Sequence, residues 1–263
     1  LSGGQIGQVY RLRLADGTLL VAKFDGGSQP QLDIEGEMLR YLANQSQLPV
    51  PTVIHCQPHL LLLEWMAGQS RFSPPAEEDA AEHLAALHNI SAPTFGFPFT
   101  TLIGALIQPN PPTACWLDFF REQRIIHLGQ LGVKLGRLPQ PFLPRLDSLC
   151  EQLDKWLTEP ERPSLIHGDV WASNVLAENG RITTFLDPAI YFGDAEMELA
   201  YIALFHTFGE PFFRRYAEIR PLAPGFFEER QYLYSLYPLL SHACHFGGSY
   251  VGMVDGVLRR FGF

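Results

Sequence analysis

Leu165-Ile166-His167-Gly168-Asp169-Val170-Trp171-Ala172-Ser173-Asn174 sets a carboxylate and a carboxamide five residues apart, just past a short apolar run. Eleven residues after Asn174 begins Phe185-Leu186-Asp187, where a second carboxylate closes another apolar run. These are the groups that ATP-dependent phosphoryl transfer needs. One Asp takes the proton of the attacking hydroxyl, an Asn holds a metal, and a further Asp holds the metals that bridge the ATP phosphates. Taken singly, each would read as a turn cap or loop residue; together at this spacing they point to a phosphotransfer site.

The residues between the two acidic positions agree. Val175-Leu176-Ala177 and Ile182-Thr183-Thr184-Phe185-Leu186 read as short strands around Asn179-Gly180. Asn-Gly between apolar runs signals a tight hairpin, because that turn needs positive φ at both central residues. Such a hairpin folds Asp187 back towards Asn174, so that two metal-binding groups converge. Protein kinases write the same loop as His-Arg-Asp with Asn five residues on; Gly168 stands here in place of the Arg.

Composition limits the alternatives. A chain of 263 residues, 46% hydrophobic and 18% charged, can bury a sizeable core and build two lobes around one cleft. A net charge of −9 argues against a nucleic-acid surface and suits a cationic substrate. Cys56, Cys115, Cys150 and Cys244 form no Cys-x-x-Cys pair and read as reduced thiols of a cytoplasmic protein. The apolar runs, such as residues 60–63, fall far short of a membrane span, and no signal peptide is evident. The chain opens with Leu1 close to a motif, which predicts that native residues precede it.

That motif is Ser2-Gly3-Gly4-Gln5-Ile6-Gly7-Gln8-Val9-Tyr10, a glycine-rich turn running into a strand. Gly4 and Gly7 would let backbone amides approach phosphate oxygens with no Cβ in the way. Residues 9–14 read as a strand, Asp16-Gly17 as a turn, and residues 19–24 as the next strand. Lys23 lies inside that strand, where the Val-Ala-Ile-Lys motif of protein kinases puts the lysine that contacts ATP phosphates; an edge-strand lysine reaching solvent is the plainer reading. A helix over 31–43 offers Glu35 and Glu37 to orient it. Glu35 shares a face with Met38 and Leu39, so it is the first choice. Residues 53–54 and 60–63 read as strands, and Glu64-Trp65-Met66 ends the small lobe where a kinase hinge would hold adenine.

From Pro74-Pro75 the pattern turns helical: 77–90, 116–131, 143–157, 197–208 and 226–247 read as helices, and 95–112 as a long loop near the cleft. His242 and His245 have metal-ligand spacing but no evident third ligand, which favours packing or substrate contact. The expected fold is α+β, two-lobed and protein-kinase-like. Residues 1–66 would form a small antiparallel-sheet lobe with one main helix that binds ATP, and residues 67–263 a larger, mainly helical catalytic and substrate lobe.

With those residues placed, the chain resembles the fructosamine kinase (ketosamine kinase) family of the protein-kinase-like fold, which also houses aminoglycoside phosphotransferases and choline kinases. The likeness rests on Trp171 in the loop, Asp187-Pro188-Ala189 followed by Tyr191-Phe192-Gly193-Asp194, and Glu198-Leu199-Ala200. Phe95-Gly96-Phe97, Phe119-Phe120-Arg121-Glu122-Gln123-Arg124, Ala223-Pro224-Gly225-Phe226 and His245-Phe246-Gly247 extend it over essentially the whole chain. The resemblance implies Asp169 as catalytic base, Asn174 and Asp187 as Mg2+ ligands, and Lys23 on the ATP phosphates with Glu35 as its partner. It implies a small-molecule or protein-bound ketosamine as acceptor, phosphorylated on the third-carbon hydroxyl in repair of glycated amines. Bacterial-type members look tuned to ribulosamines and erythrulosamines, and the residues do not choose among these sugars.

Two departures stand out. Ala172-Ser173 replaces the Ser-Gly that family members usually have before the asparagine, and Gln5 stands where some relatives have a cysteine, so redox control there is not expected. No long activation segment follows Asp187, which predicts constitutive activity. The competing readings are a kinase of another cationic small molecule, such as an aminoglycoside or amino alcohol, and a nucleotide-binding pseudokinase. Retention of Lys23, Asp169, Asn174 and Asp187 together speaks against the last.

Overall fold

The computed structural model describes residues 8–263; Gly4 and Gly7 lie outside the described residues. Strands β1 (Gln8–Arg13) and β2 (Leu19–Phe24) pair as an antiparallel hairpin around Asp16-Gly17, where Gly17 takes φ 90°. Helix α1 (Leu32–Gln45), β3 (Val53–Gln57) and β4 (Leu60–Glu64) follow, giving an antiparallel sheet in the order β1-β2-β4-β3. Leu61 and Leu63 of β4 bury with Leu32 and Leu39 of α1 in a small core of their own. Met38 and Leu42 of the same helix join the large core of the rest of the chain. One helix therefore has a stake in both cores, because its apolar positions wrap more than one face.

The remainder is mainly helical. Helix α2 (Pro74–His88) leads into a hairpin of β5 (Thr101–Ile103) and β6 (Leu106–Gln108), whose first strand packs beside α1. Helix α3 (Trp116–Phe120) continues through a wider π-type stretch, Arg121–Ile126, into α4 (His127–Lys134), and α5 (Phe142–Cys150) follows. Strand β7 (Ser164–Ile166) pairs antiparallel with β10 (Tyr191–Gly193), and between them lies the hairpin of β8 (Val175–Glu178) and β9 (Arg181–Phe185). Helices α6 (Ala195–Leu204), α7 (Glu210–Ile219), α8 (Gln231–Tyr234), α9 (Leu236–Phe246) and α10 (Ser249–Arg260) close the chain. Among the described residues no helix is long and apolar enough to cross a membrane.

The α+β plan with a small antiparallel sheet and a larger helical part is the expected one. Some elements differ. Residues 95–112 hold the β5–β6 hairpin, which pairs only three residues per strand and so shows no period long enough to detect. The expected helix over 143–157 stops at Cys150 and gives way to a 3-10 turn at Leu153–Lys155. The span 226–247 is a π-type stretch, Phe226–Arg230, followed by α8 and α9. Helices α7 and α10 were not anticipated.

Candidate active site

The loop after β7 is shaped by one glycine. Gly168 takes φ 86°, and a Cβ built there would lie 2.3 Å from the carbonyl oxygen of Ala189. No other residue fits without moving backbone. Its N–H donates to Glu198 Oε1 at 2.6 Å, and the N–H of His167 donates to Glu198 Oε2 at 3.3 Å. Glu198 sits inside α6 with its side chain fully buried, and also accepts from His88 Nε2 at 2.8 Å. His88 Nδ1 in turn accepts from the Tyr216 hydroxyl at 2.7 Å. Burial works against the Glu198 charge, but the His88 hydrogen bond, aided by the Gly168 N–H, outweighs it and lowers the carboxyl pKa. Burial keeps His88 neutral by lowering its pKa. A neutral imidazole thus donates to an anionic carboxylate, and both ring nitrogens of His88 and both oxygens of Glu198 are partnered.

That support holds Asp169. Its Oδ2 accepts from Asn174 Nδ2 at 2.9 Å, and its Oδ1 accepts from the Tyr201 hydroxyl. Burial pushes the Asp169 carboxyl up to about 7; the nearby Asp187 charge adds to this, while the hydrogen bonds from Tyr201 and Asn174 pull the other way. Asn174 ends a 3-10 turn, Ala172–Asn174, and its Oδ1 has no hydrogen bond among the described residues.

The β8–β9 hairpin then returns the chain. Asn179 and Gly180 take φ 52° and 77°, the turn that Asn-Gly predicts. The N–H of Leu186 donates to Asn174 O at 2.8 Å, so Asp187 emerges beside Asn174. Asp187 adopts φ 51°, a left-handed conformation that aspartate tolerates better than most residues. Its carboxylate is ion-paired with the Lys23 ammonium, and Lys23 Nζ also donates to Glu35 Oε1 at 2.7 Å. Burial disfavours the lysine charge, but Asp187 and Glu35 overcome that and raise its pKa, so it stays protonated.

Lys23, Glu35, Asp169, Asn174 and Asp187 line one cavity of about 510 Å³, together with Trp171, Tyr201 and His242. Such a volume suits a small polar ligand. Glu35 is the carboxylate that reaches Lys23, whereas Glu37 is exposed to solvent. Glu64 lies at the end of β4, where its side chain accepts from Thr52 Oγ1 at 2.7 Å. Neither Glu64 nor Met66 lines this cavity. The sequence reading missed the roles of Glu198, His88 and Tyr201 around Asp169. A glutamate inside the apolar helix α6 was the available sign, since a buried acid needs partners.

The donor set fits magnesium, which takes one or two protein oxygens and keeps the rest for phosphate and water. Asp187 offers a carboxylate with 37% of its side chain exposed, and Asn174 offers a free carboxamide oxygen. Among the described residues no group of three or more His, Cys, Asp or Glu is gathered for a dedicated metal site.

Comparison with known proteins bears on the same site. A family model described as fructosamine kinase matches residues 1–261. A probable ketoamine kinase of Synechocystis sp. is 32% identical over 99% of this chain and 88% of its own length. YniA of Escherichia coli K12, also named a probable ketoamine kinase, is 31% identical over 99% of this chain and 91% of its own. The solved structure of a candidate fructosamine-3-kinase from Thermobifida fusca superposes with a TM-score of 0.84 at 34% identity, covering 95% of this chain and 88% of that one. The aminoglycoside phosphotransferase APH(4)-Ia, solved with AMP-PNP and hygromycin B, shares the fold at a TM-score of 0.69 and 19% identity, covering 100% of this chain and 93% of that one.

Proposed function

This chain belongs to the fructosamine kinase family of ATP-dependent kinases, and on that premise we propose that its cleft phosphorylates the third-carbon hydroxyl of ketosamines in repair of glycated amines. The observation that carries the reading is the meeting of Lys23 from the small sheet with Asp187, Asn174 and Asp169 on one cavity. Residues 1–66 would bind ATP, with Gly4 and Gly7 against its phosphates and the backbone of Glu64 and Met66 against adenine. Residues 67–263 would carry the base and the acceptor. The four unpaired cysteines among the described residues suit a reducing compartment such as the cytoplasm.

Asp169 takes the proton of the acceptor hydroxyl as its oxygen bonds to the γ-phosphorus and the bond to the departing ADP breaks. Its two oxygens are fixed by Tyr201 and Asn174, and a base near neutrality suits that transfer. Lys23, protonated and aimed by Glu35, would draw on the α- and β-phosphates. Asn174 and Asp187 would hold magnesium, which when bound neutralises charge on the phosphate oxygens. Burial of Glu198 and His88 beneath the loop keeps the base in place without reorganisation.

The test is ADP release by the purified protein with ATP, magnesium and a panel of acceptors: ribulosamine, erythrulosamine, fructosamine, an aminoglycoside and an amino alcohol. Phosphate on the third-carbon oxygen of a ketosamine is the expected product. Turnover confined to the aminoglycoside or amino alcohol would replace this reading with the alternative substrate class.

A further inference from the structure

One wall of the cavity is left unused by the groups assigned to phosphate transfer. On α9, His242 is only 9% exposed and lines the cavity beside Trp171 and Tyr201. Its Nδ1–H donates to Pro238 O at 2.8 Å, one turn back on the same helix. Nε2 is thereby left as a lone pair with no partner among the described residues. Aromatic rings surround the imidazole: Phe205 at 4.7 Å between centroids, Tyr250 at 4.9 Å and Phe246 at 5.8 Å. Tyr201, whose hydroxyl sits on Asp169, is 6.4 Å away, so the lone pair stands one ring from the carboxylate assigned as base.

The unpaired acceptor opens on a cavity that the rings of Trp171, Tyr201 and Phe246 also line, which suits a cation that carries an N–H. The faces attract positive charge, and the lone pair takes the hydrogen bond. Among the described residues Lys23 is the only lysine or arginine lining the cavity, and its charge is already engaged by two carboxylates. His245, one turn further on, is not available in the same way. Its Nδ1–H donates to Ser241 O at 2.8 Å, and its Nε2 accepts from the N–H of Ala105 at 3.3 Å, fastening the turn between β5 and β6. Burial lowers the pKa of both imidazoles, so both are neutral.

We propose that His242 is a specificity-determining residue of the acceptor subsite: its Nε2 accepts a hydrogen bond from the protonated secondary amine of the acceptor, so that amine-bearing sugars are selected over sugars without that nitrogen. The inference rests on the ketosamine reading and names the substrate group that is recognised.

Two acceptors decide it: a ribulosamine, and the ether in which oxygen replaces its nitrogen. Replacing His242 by Phe keeps a ring and removes the acceptor. His242→Phe should lower kcat/KM for the amine by roughly tenfold to a hundredfold, the range for a hydrogen bond to a charged group. The ether rate and the KM for ATP should stay as they were, and His242→Gln should restore part of the amine preference. Should the Phe variant not fold, His242→Leu must abolish the preference that His242→Gln retains. Equal losses on both acceptors, or no loss on either, would overturn the proposal. A wild-type protein that phosphorylates neither acceptor sinks the ketosamine reading itself, and the role of His242 with it, before any variant is made.

Discussion

Two of the carboxylates that line the cavity, Asp169 and Asp187, are held in opposite ways. Asp169 rides on a loop pinned from beneath, where Glu198 takes two backbone N–H groups and is itself held by His88 from α2, with Tyr216 of α7 behind. All of that lies within the helical part and is buried. Asp187 is held from across the cleft by Lys23, with a left-handed backbone and 37% of its side chain exposed. The proposed base is therefore preorganised, whereas the proposed metal ligand is adjustable. A nucleotide entering the cavity would compete for Lys23 and so reset Asp187, whereas Glu198 does not line the cavity.

The largest effect expected from breaking that contrast is on stability. Glu198→Ala orphans two backbone donors and the His88 N–H in a dry site, and should cost about 3–5 kcal/mol, the range for breaking a buried pair. Denaturant unfolding reads this; a loss under about 1 kcal/mol would mean the loop does not depend on the network. Next comes Asp169→Asn, which should lower turnover by at least ~10², the low end for removing a general base, while nucleotide binding by calorimetry persists. Near-normal turnover would remove Asp169 from the role of base. Lys23→Met should cost about tenfold to a hundredfold in kcat/KM for ATP, the range for a charge-assisted contact. An unchanged KM and kcat for ATP would show that Lys23 serves only to brace Asp187.

The same contrast gives a pH dependence. His88 is lowered in the folded protein from 6.5, so between its folded pKa and 6.5 the unfolded chain binds the extra proton. Its share of stability is present above 6.5 and is lost as pH falls below that value. Glu198 is lowered from 4.5, so its share is present above 4.5 and is lost as pH falls through its folded pKa. Asp169, which burial raises to about 7, works the other way and gains stability as pH falls, so the His88 share is read as a difference: below 6.5 the wild type should lose more melting temperature, relative to its value at pH 7, than His88→Gln does. An acid limb identical in the variant would place its origin elsewhere.

What the sequence revealed and hid follows the same division. The β8–β9 hairpin was legible because its turn chemistry is local: Asn179-Gly180 announces two positive φ values. Glu35 was separable from Glu37 because helical spacing puts it on the buried face with Met38 and Leu39. The network under the loop was not legible. Its members, His88, Glu198 and Tyr216, lie on three helices more than a hundred residues apart at the extremes, and only Glu198, an acid inside an apolar helix, gives any local sign. Their pairing is a product of tertiary packing, which no local pattern encodes. The β5–β6 hairpin was hidden for the converse reason, being too short to show alternation.

The smallest expected effect tests whether the hairpin turn matters for geometry or for chemistry. Gly168 and Gly180 both have positive φ, but their surroundings differ. At Gly168 an added Cβ meets a backbone carbonyl at 2.3 Å, whereas at Gly180 the nearest atoms are Pro75 Cβ at 3.5 Å and Ser73 Oγ at 3.8 Å, ordinary contacts. Gly180→Ala therefore bears only the backbone cost of a left-handed residue, about 1 kcal/mol, and should leave kcat/KM within about twofold. The turn lies at the far end of β8 and β9 from Asn174 and Asp187, and the ladder between Val175 and Phe185 keeps those two ends in register. A large fall in activity at unchanged stability would show that the register of Asn174 and Asp187, the proposed metal ligands, is set by the turn and not by the ladder, and that Asp187 is less adjustable than its single ion pair to Lys23 implies.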